Sequence, residues 1–389
     1  LTQDKQARSI AIIGGGQLGY FLCEAAQQLG IKTLVVAASA DEPALRVADT
    51  SIVAALDDPD LAQRIAAHSD AVTFEFEFVP DALLDGLEEQ QRLGNTVVHP
   101  DPALLRLIKN KATQKQWLQE QGLPTEAFVE ADDPPAEQAE ILRRIPVPLV
   151  QKAQQGGYDG YGVQVIDNAR DLDRLWSVPS IFEPFLAGVR ELAVVAVRSA
   201  SGEIEIYEPV ELEFDTVKNI LDAAIAPALI PPELRDESMR LGSAVVEKLG
   251  GVGVFAIEMF LTADSRLLIN EVSPRVHNSG HHTLDSCATS QFEQHVRAVA
   301  GLPLGSTRQI APAVMKNILY TEQWEHLCSS PPGVLPTSQS GVTFYWYGKI
   351  TPRKGRKMGH VTCTGASRSD AEQQISLGLS ELQSARNEG

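Results

Sequence analysis

Residues 9–30, SIAIIGGGQLGYFLCEAAQQLG, limit the fold more than any other stretch of the chain. The first five form a short apolar strand and three glycines turn the chain. QLGYFLCEAAQQLG then spaces its apolar residues as an amphipathic helix closed by Gly30. KTLVVA, SIVAA and AVTFEF continue the pattern as strands separated by helical stretches. Alternating strand and helix is the mark of a parallel sheet covered by helices, so the chain is expected to begin with an α/β domain.

At 389 residues the chain is too long for one ordinary core, and two or three domains are expected. HPDPALLRLIKNKATQKQWLQEQGLP reads as a connecting helical segment ending at Gly122 and Pro124. PVPLVQKAQQGGYDGYGVQVI reads as strand, glycine-rich loop, strand: a hairpin with a mobile tip rather than the strand-to-helix turn of a Walker loop. Strands SIFEPFL and ELAVVAVRS precede a helix over residues 233–249. VFAIEMFL and RLLINEV form a strand pair joined by the turn TADS. The tail offers GVTFYWYGKI, the basic run PRKGRKMGH, and a last helix opened by a capping box from Ser369 to Glu372.

The charge balance of 33 basic against 51 acidic residues, 33 − 51 = −18, opposes non-specific binding to nucleic acid or to an anionic membrane. A phosphate-bearing ligand must therefore meet local basic groups. Cys23, Cys287, Cys328 and Cys363 are scattered and form no Cys-x-x-Cys pair, which fits a reducing cytoplasm. No apolar run approaches the roughly 18 residues that cross a bilayer, and LTQDKQARS lacks the apolar core of a secretory signal. The expectation is a soluble, cytoplasmic protein.

Three features carry chemistry. GGGQLG, residues 14–19, matches G-x-G-x-x-G between a strand and a helix, where backbone N–H groups can cradle a phosphate. The next strand runs into Ala-Ser rather than the acid that would hold a dinucleotide's ribose, so another phosphate ligand is favoured over a nicotinamide cofactor. Glu258 and Glu271 lie on the two strands around TADS, where antiparallel pairing sets Glu258 opposite Ile269, Asn270 or Glu271, depending on the turn. Two such carboxylates repel unless a cation lies between them, and oxygen ligands at this spacing suit Mg²⁺. Residues 270–283, NEVSPRVHNSGHHT, then supply a carboxylate, a guanidinium, three imidazoles and two carboxamides at the end of an apolar strand. A surface loop seldom needs so many costly groups; an active-site wall does. Lys152 before the glycine loop and Lys111 upstream can meet nucleotide phosphates as point charges under a closing lid. Glu183 and Glu191 can accept from an adenine amine or ribose hydroxyls.

With these motifs the sequence resembles the N5-carboxyaminoimidazole ribonucleotide synthetases, ATP-grasp enzymes of purine biosynthesis, over nearly its whole length. N-E-x-x-P-R-x-H-N-S-G-H is the most specific part. The resemblance implies an α/β and α+β ATP-grasp fold: a Rossmann-like pre-ATP-grasp domain over residues 1–110, a lid over 111–187, and a C-terminal domain over 188–389 including the basic segment. It implies ATP binding by Lys111, Lys152, Gly157, Tyr158, Asp159, Gly160, Gly162, Glu183, the Leu186 backbone, Glu191, Asn270 and Glu271. Mg²⁺ would be held by Glu258 and Glu271. Aminoimidazole ribonucleotide would be bound by Gln17, Leu18, Glu75, Tyr158, Asp159, Lys349 and Arg356; Arg275, His277 and the substrate-binding Asn278 would sit around bicarbonate and its activated form, and Arg275, His277 and Lys349 would be catalytic. ATP would convert bicarbonate to carboxyphosphate, which carboxylates the ribonucleotide amine without biotin. A homodimer is implied as well. Three positions depart from the family pattern: Tyr161 replaces a loop cation, Phe78 a polar residue and Phe214 a histidine. The tail cations Arg353, Lys354 and Lys357 lie where one could compensate for Tyr161. A formate-using ATP-grasp ligase and a nicotinamide oxidoreductase stand as alternatives.

Overall fold

The computed structural model describes residues 6–157, 162–215, 220–335, 337 and 341–384. Its N-terminal alternation folds as β1 (Ser9–Ile13), α1 (Gln17–Gln28), β2 (Lys32–Ala37), β3 (Thr50–Val53), α2 (Leu61–Ala66), β4 (Ala71–Phe74), α3 (Asp81–Arg92) and β5 (Val97–Val98). The five strands are parallel in the order β3-β2-β1-β4-β5. β1, β2 and β4 are buried along nearly their whole length, which is why they read as unbroken apolar runs. The chain leaves β1 toward β2 and later returns to β4 on the other side. The carboxyl ends of β1 and β4 therefore flank the switch point at which open α/β sheets bind ligands.

The connecting segment is two helices, not one: α4 (Pro102–Lys109) and α5 (Lys111–Glu120). Asn110 between them is extended, with φ −108 and ψ 121, and its side chain accepts from the N–H groups of Ala112 and Thr113. It ends one helix and caps the next, making Lys111 the first residue of α5. Then come β6 (Val129–Ala131), α6 (Gln138–Arg144), β7 (Leu149–Ala153), β8 (Val163–Ile166) and β9 (Ser180–Pro184). These strands form an antiparallel sheet in the order β6-β9-β7-β8, so the glycine loop joins two paired strands as a hairpin would. Tyr158, Asp159, Gly160 and Tyr161 at its tip lie outside the described residues.

A ten-stranded antiparallel sheet carries the rest. It contains β10 (Arg190–Arg198), β11 (Ile204–Ile206), β12 (Val210–Asp215) and β13 (Ile220–Ala226). α7 (Pro232–Leu249) precedes β14 (Gly253–Leu261) and β15 (Leu267–Ser273). α8 (Thr283–Ser286) and α9 (Gln291–Ala300) lead to β16 (Ala313–Leu319), β17 (Gly333–Leu335), β18 (Val342–Trp346), β19 (Lys357–Thr364) and α10 (Arg368–Ser384). The order is β15-β14-β10-β12-β13-β16-β19-β18-β17, with β11 beside β10. The last helix is entered two residues earlier than its sequence suggests: Ser367 Oγ accepts from Asp370 N, and Asp370 Oδ2 accepts from Ala366 N. α1 and α9 lock the first sheet onto the third, with Phe21 and Phe292 rings 5.0 Å apart. His295 accepts from Val254 N through Nδ1 and meets Thr73 Oγ1 at 2.7 Å through Nε2, tying β14 to β4. Among the described residues no helix is long and apolar enough to cross a membrane.

Candidate active site

The three sheets meet around one cavity of about 650 Å³. One wall is the hairpin β14–β15. Glu258 stands directly opposite Glu271, and Met259 opposite Ile269, so Asn270 is the extra residue of a β-bulge. In an unbroken strand Asn270 and Glu271 would face opposite sides; the bulge turns both toward the cavity while Ile269 and Val272 stay in the core. Lys111 Nζ sits 2.6 Å from Glu271 Oε2, and His277 Nε2 lies 3.6 Å from Glu258 Oε1. The charges are unevenly satisfied. Burial, then Glu271 and Glu191, push the Glu258 carboxyl up to about 8. Burial also works against ionised Glu271, but Lys111 holds it below the usual carboxylate value.

The four-stranded sheet closes the opposite side with Lys152 of β7 and Glu183 of β9. Lys152 Nζ lies 2.5 Å from Glu183 Oε2 and donates to Asn270 Oδ1 at 2.8 Å. Lys115 Nζ lies 2.5 Å from the other Glu183 oxygen. Burial opposes the charge on Glu183, yet Lys152 and Lys115 together bring its carboxyl down to about 2. Apolar Phe185, Leu186 and Phe260 also line the cavity, with Glu191 paired across the ladder to Phe260 and Lys152 Nζ 5.9 Å from the Phe260 ring.

Beyond β15 the chain is held by Gln291, whose Oε1 accepts from His277 N and whose Nε2 donates to His277 O. His277 Nδ1 accepts from Ser279 N, which leaves the ring N–H on Nε2 facing Glu258. Among the described residues, both polar atoms of the Asn278 carboxamide are buried at the cavity without a hydrogen-bond partner, a costly state that a polar ligand would relieve. Arg275 differs from its expected role in one respect. The Nε–Nη2 edge of its guanidinium grips Glu77, at 2.5 and 3.0 Å, while Nη1 donates to Val276 O.

At the switch point the glycine turn is partly filled by the protein itself. Glu75 accepts from Gly16 N at 2.5 Å and Gly19 N at 2.6 Å. Its Cγ would lie 2.1 Å from a Cβ at position 14, where φ is +114, so both shape and backbone demand glycine there. Gln17 and Leu18 begin α1, and N–H groups at such a position point beyond the helix end. Lys349 lies close enough in charge to feel Glu75 and Arg356; burial first, then Arg356, lower its ammonium to about 7.

Of the expected site residues, Gly162, Lys349 and Arg356 stand outside the cavity walls, and Tyr158, Asp159 and Gly160 are outside the described residues; all the others line it. Of the departing positions, Phe214 lines the cavity and Phe78 does not. Of the tail cations, Lys357 lines it, whereas Arg353 and Lys354 are exposed. Sequence reading missed Glu77 and Lys115. Glu77 could have been noticed from its alternation with Glu75 in EFEF, and Lys115 from its place one helical turn after Lys111.

This architecture, an acidic hairpin facing a lysine-bearing antiparallel lid beside a parallel sheet, is that of the ATP-grasp ligases. Family models agree in chain order: a ribonucleotide synthetase preATP-grasp domain over residues 7–109, an ATP-grasp domain over 116–292, and a phosphoribosylaminoimidazole carboxylase C-terminal domain over 313–374. The chain is 37% identical to the N5-carboxyaminoimidazole ribonucleotide synthase of Synechococcus elongatus, covering 96% of this chain and 94% of the relative. It is 37% identical to that of Bacillus subtilis, over 91% and 90% of the two chains. The crystal structure of the Thermotoga maritima synthetase superposes with a TM-score of 0.82 at 34% identity, covering 96% and 98%. The Aspergillus clavatus synthase in complex with ADP and 5-aminoimidazole ribonucleotide superposes with a TM-score of 0.85 at 28% identity, covering 98% and 99%. The chain belongs to the N5-carboxyaminoimidazole ribonucleotide synthetase family.

Proposed function

We propose that this chain carboxylates 5-aminoimidazole ribonucleotide on its exocyclic amine, using ATP and bicarbonate, and releases N5-carboxyaminoimidazole ribonucleotide, ADP and phosphate. The observation that carries this reading is the bulged hairpin, which sets Glu258 against Glu271 with Asn270 beside them on the wall shared with Arg275, His277 and Asn278. ATP would lie between this wall and the lid, its phosphates toward Lys111 and Lys152. Phe185, Leu186 and Phe260 offer the apolar surface that a purine ring requires. The ribonucleotide phosphate would meet the start of α1 at Gln17 and Leu18, with Lys349 and Arg356 supplying charge.

The donor set fits Mg²⁺. Two facing carboxylates, one of them pushed up to about 8 by burial and by the carboxylates of Glu271 and Glu191, form an oxygen-only site. An ion held there would take its remaining ligands from water and phosphate. Mg²⁺ held by Glu258 and Glu271 would offset the charge of the transferring phosphoryl group.

A bicarbonate oxygen attacks the γ-phosphorus of ATP and the bond to ADP breaks, giving carboxyphosphate. The ribonucleotide amine then attacks the carboxyl carbon, phosphate leaves, and the amine gives up a proton. With Glu77 on one edge and Val276 O on Nη1, Arg275 keeps one hydrogen each on Nη1 and Nη2 for the planar anion. His277, oriented by Ser279 and Gln291, holds its Nε2 proton toward the reacting groups. Glu77 thus fixes the plane in which Arg275 presents itself. The reading extends to a homodimer and a cytoplasmic setting, both from family resemblance. The test is ADP release by the purified chain with each substrate omitted in turn. Release that requires bicarbonate and 5-aminoimidazole ribonucleotide together supports the proposal, and release supported equally by formate overturns it.

A further inference from the structure

Lys115 does not line the cavity, yet it is deeply enclosed beside it: its side chain is 3% exposed and that of Glu183 4%. Its Nζ lies 2.5 Å from Glu183 Oε1 and donates to Thr125 Oγ1 at 2.7 Å. The other Glu183 oxygen holds Lys152, whose Nζ also donates to Asn270. One carboxylate therefore joins a hidden ammonium to one that faces the cavity, and the triad sums to 2 − 1 = +1. Stability alone gives no reason for the hidden member. Apolar side chains that fill the same space often match or exceed a buried ionic group in stability.

We propose that Lys115 is a positioning residue for nucleotide binding: by sharing the charge of Glu183, it leaves the Lys152 ammonium available to the polyphosphate of ATP. This rests on the reading of the cavity as a nucleotide site. Without Lys115, Glu183 and Lys152 form a closed neutral pair, and phosphate must compete with a full carboxylate for one ammonium. The contacts also fix where that ammonium stands. Thr125, held by Lys115, donates to the carbonyl of Ile269 next to Asn270, so lid and hairpin are registered to each other through α5.

The test is calorimetric binding of ADP with excess Mg²⁺ to the unaltered chain, Lys115→Met and Lys115→Met/Glu183→Gln, with KM for ATP and kcat measured on the same proteins. The single change takes the triad to zero charge, and the double returns it to +1 on Lys152 alone; both Glu183 oxygens lie 2.5 Å from lysines, so its carboxylate acts through them and not as a nucleotide ligand. Lys115→Met is expected to weaken ADP binding and raise KM for ATP by about tenfold or more, with kcat changed less than about threefold. The double variant is expected to recover most of that loss. A single variant that binds ADP as the unaltered chain does, or a double as weak as the single, means that Lys115 acts through packing and overturns the proposal. Where the single variant does not fold, the double leaves no buried carboxylate short of a partner and is compared with the unaltered chain. A loss below about tenfold then supports the proposal and a larger one overturns it. Failure of the unaltered chain to bind ADP would overturn the nucleotide reading and this inference with it; normal binding there, with no recovery in the double, overturns this inference alone.

Discussion

Glu258 has a carboxyl that titrates near 8 in the folded chain, against 4.5 for an ordinary glutamate. Between those values the folded chain keeps a proton that the unfolded chain has released, so raising the pH through this window costs stability. In buffer free of Mg²⁺ and nucleotide, Glu258→Gln should match the unaltered chain in thermal midpoint near pH 4.5 and exceed it by about a few degrees at pH 8. Its turnover should fall by about a hundredfold or more. A midpoint difference that stays flat with pH, or near-normal turnover, would contradict the role given to the pair. Lys349 is the reverse case. Its ammonium, lowered to about 7, is largely neutral at pH 8, and a phosphate bound beside it would restore the charge. Ribonucleotide binding should therefore take up about one proton at pH 8 and little at pH 6, and affinity should fall as the pH rises through 7. The dependence of binding enthalpy on buffer ionisation measures this uptake, which should vanish in Lys349→Met.

At the scale of elements, the start of α1 is shared between a side chain and a ligand. A Cβ at position 16 would lie 2.7 Å from Glu75 Oε1 and push the carboxylate away from Gly16 N and Gly19 N. Gly16→Ala is expected to raise KM for the ribonucleotide by about tenfold while ADP binding, governed at the lid, changes little. An equal loss for both ligands would mean that the first sheet as a whole had shifted. Asn110→Ala removes a cap and should lower stability by about 1 kcal/mol in urea unfolding. The same elements show what a sequence can and cannot disclose. β1, β2 and β4 were legible because strands buried on both faces read as apolar runs, and the lid hairpin because glycines mark its tip. The break at Asn110 was not, since its helical flanks conceal one extended residue. The register of Glu258 stayed open among three partners because a bulge is set by the ladder and not by composition. Arg275 and Glu77 stand 198 positions apart, and no local pattern joins them.

At the scale of the whole molecule, five imidazoles are held neutral, four of them buried and His99 half-buried. Burial lowers His99 and His282 to about 4, His295 and His360 to about 3, and His281 well below its ordinary value. Between these values and 6.5 the unfolded chain binds protons that the folded chain refuses, so stability should fall as the pH drops from 6.5 toward 4. At pH 5 these imidazoles alone should take up between about four and five protons on unfolding, measurable from the pH dependence of urea unfolding. An uptake near zero would mean that the rings are solvated or charged in the folded chain. One of them, His360, belongs to the cluster around Phe21, whose ring lies 5.6, 6.1 and 5.8 Å from those of Tyr345, Tyr347 and His360. A ribosome adding roughly 5–20 residues per second takes on the order of 15–65 s to pass from codon 21 to codon 347. Through that interval the first helix exists with one flank bare, and the cavity has yet to receive Lys357. Until Lys357 arrives, the cavity lacks part of its wall. The surface a chaperone would shield longest is that of the helix whose ring partners lie more than 300 residues further along the chain.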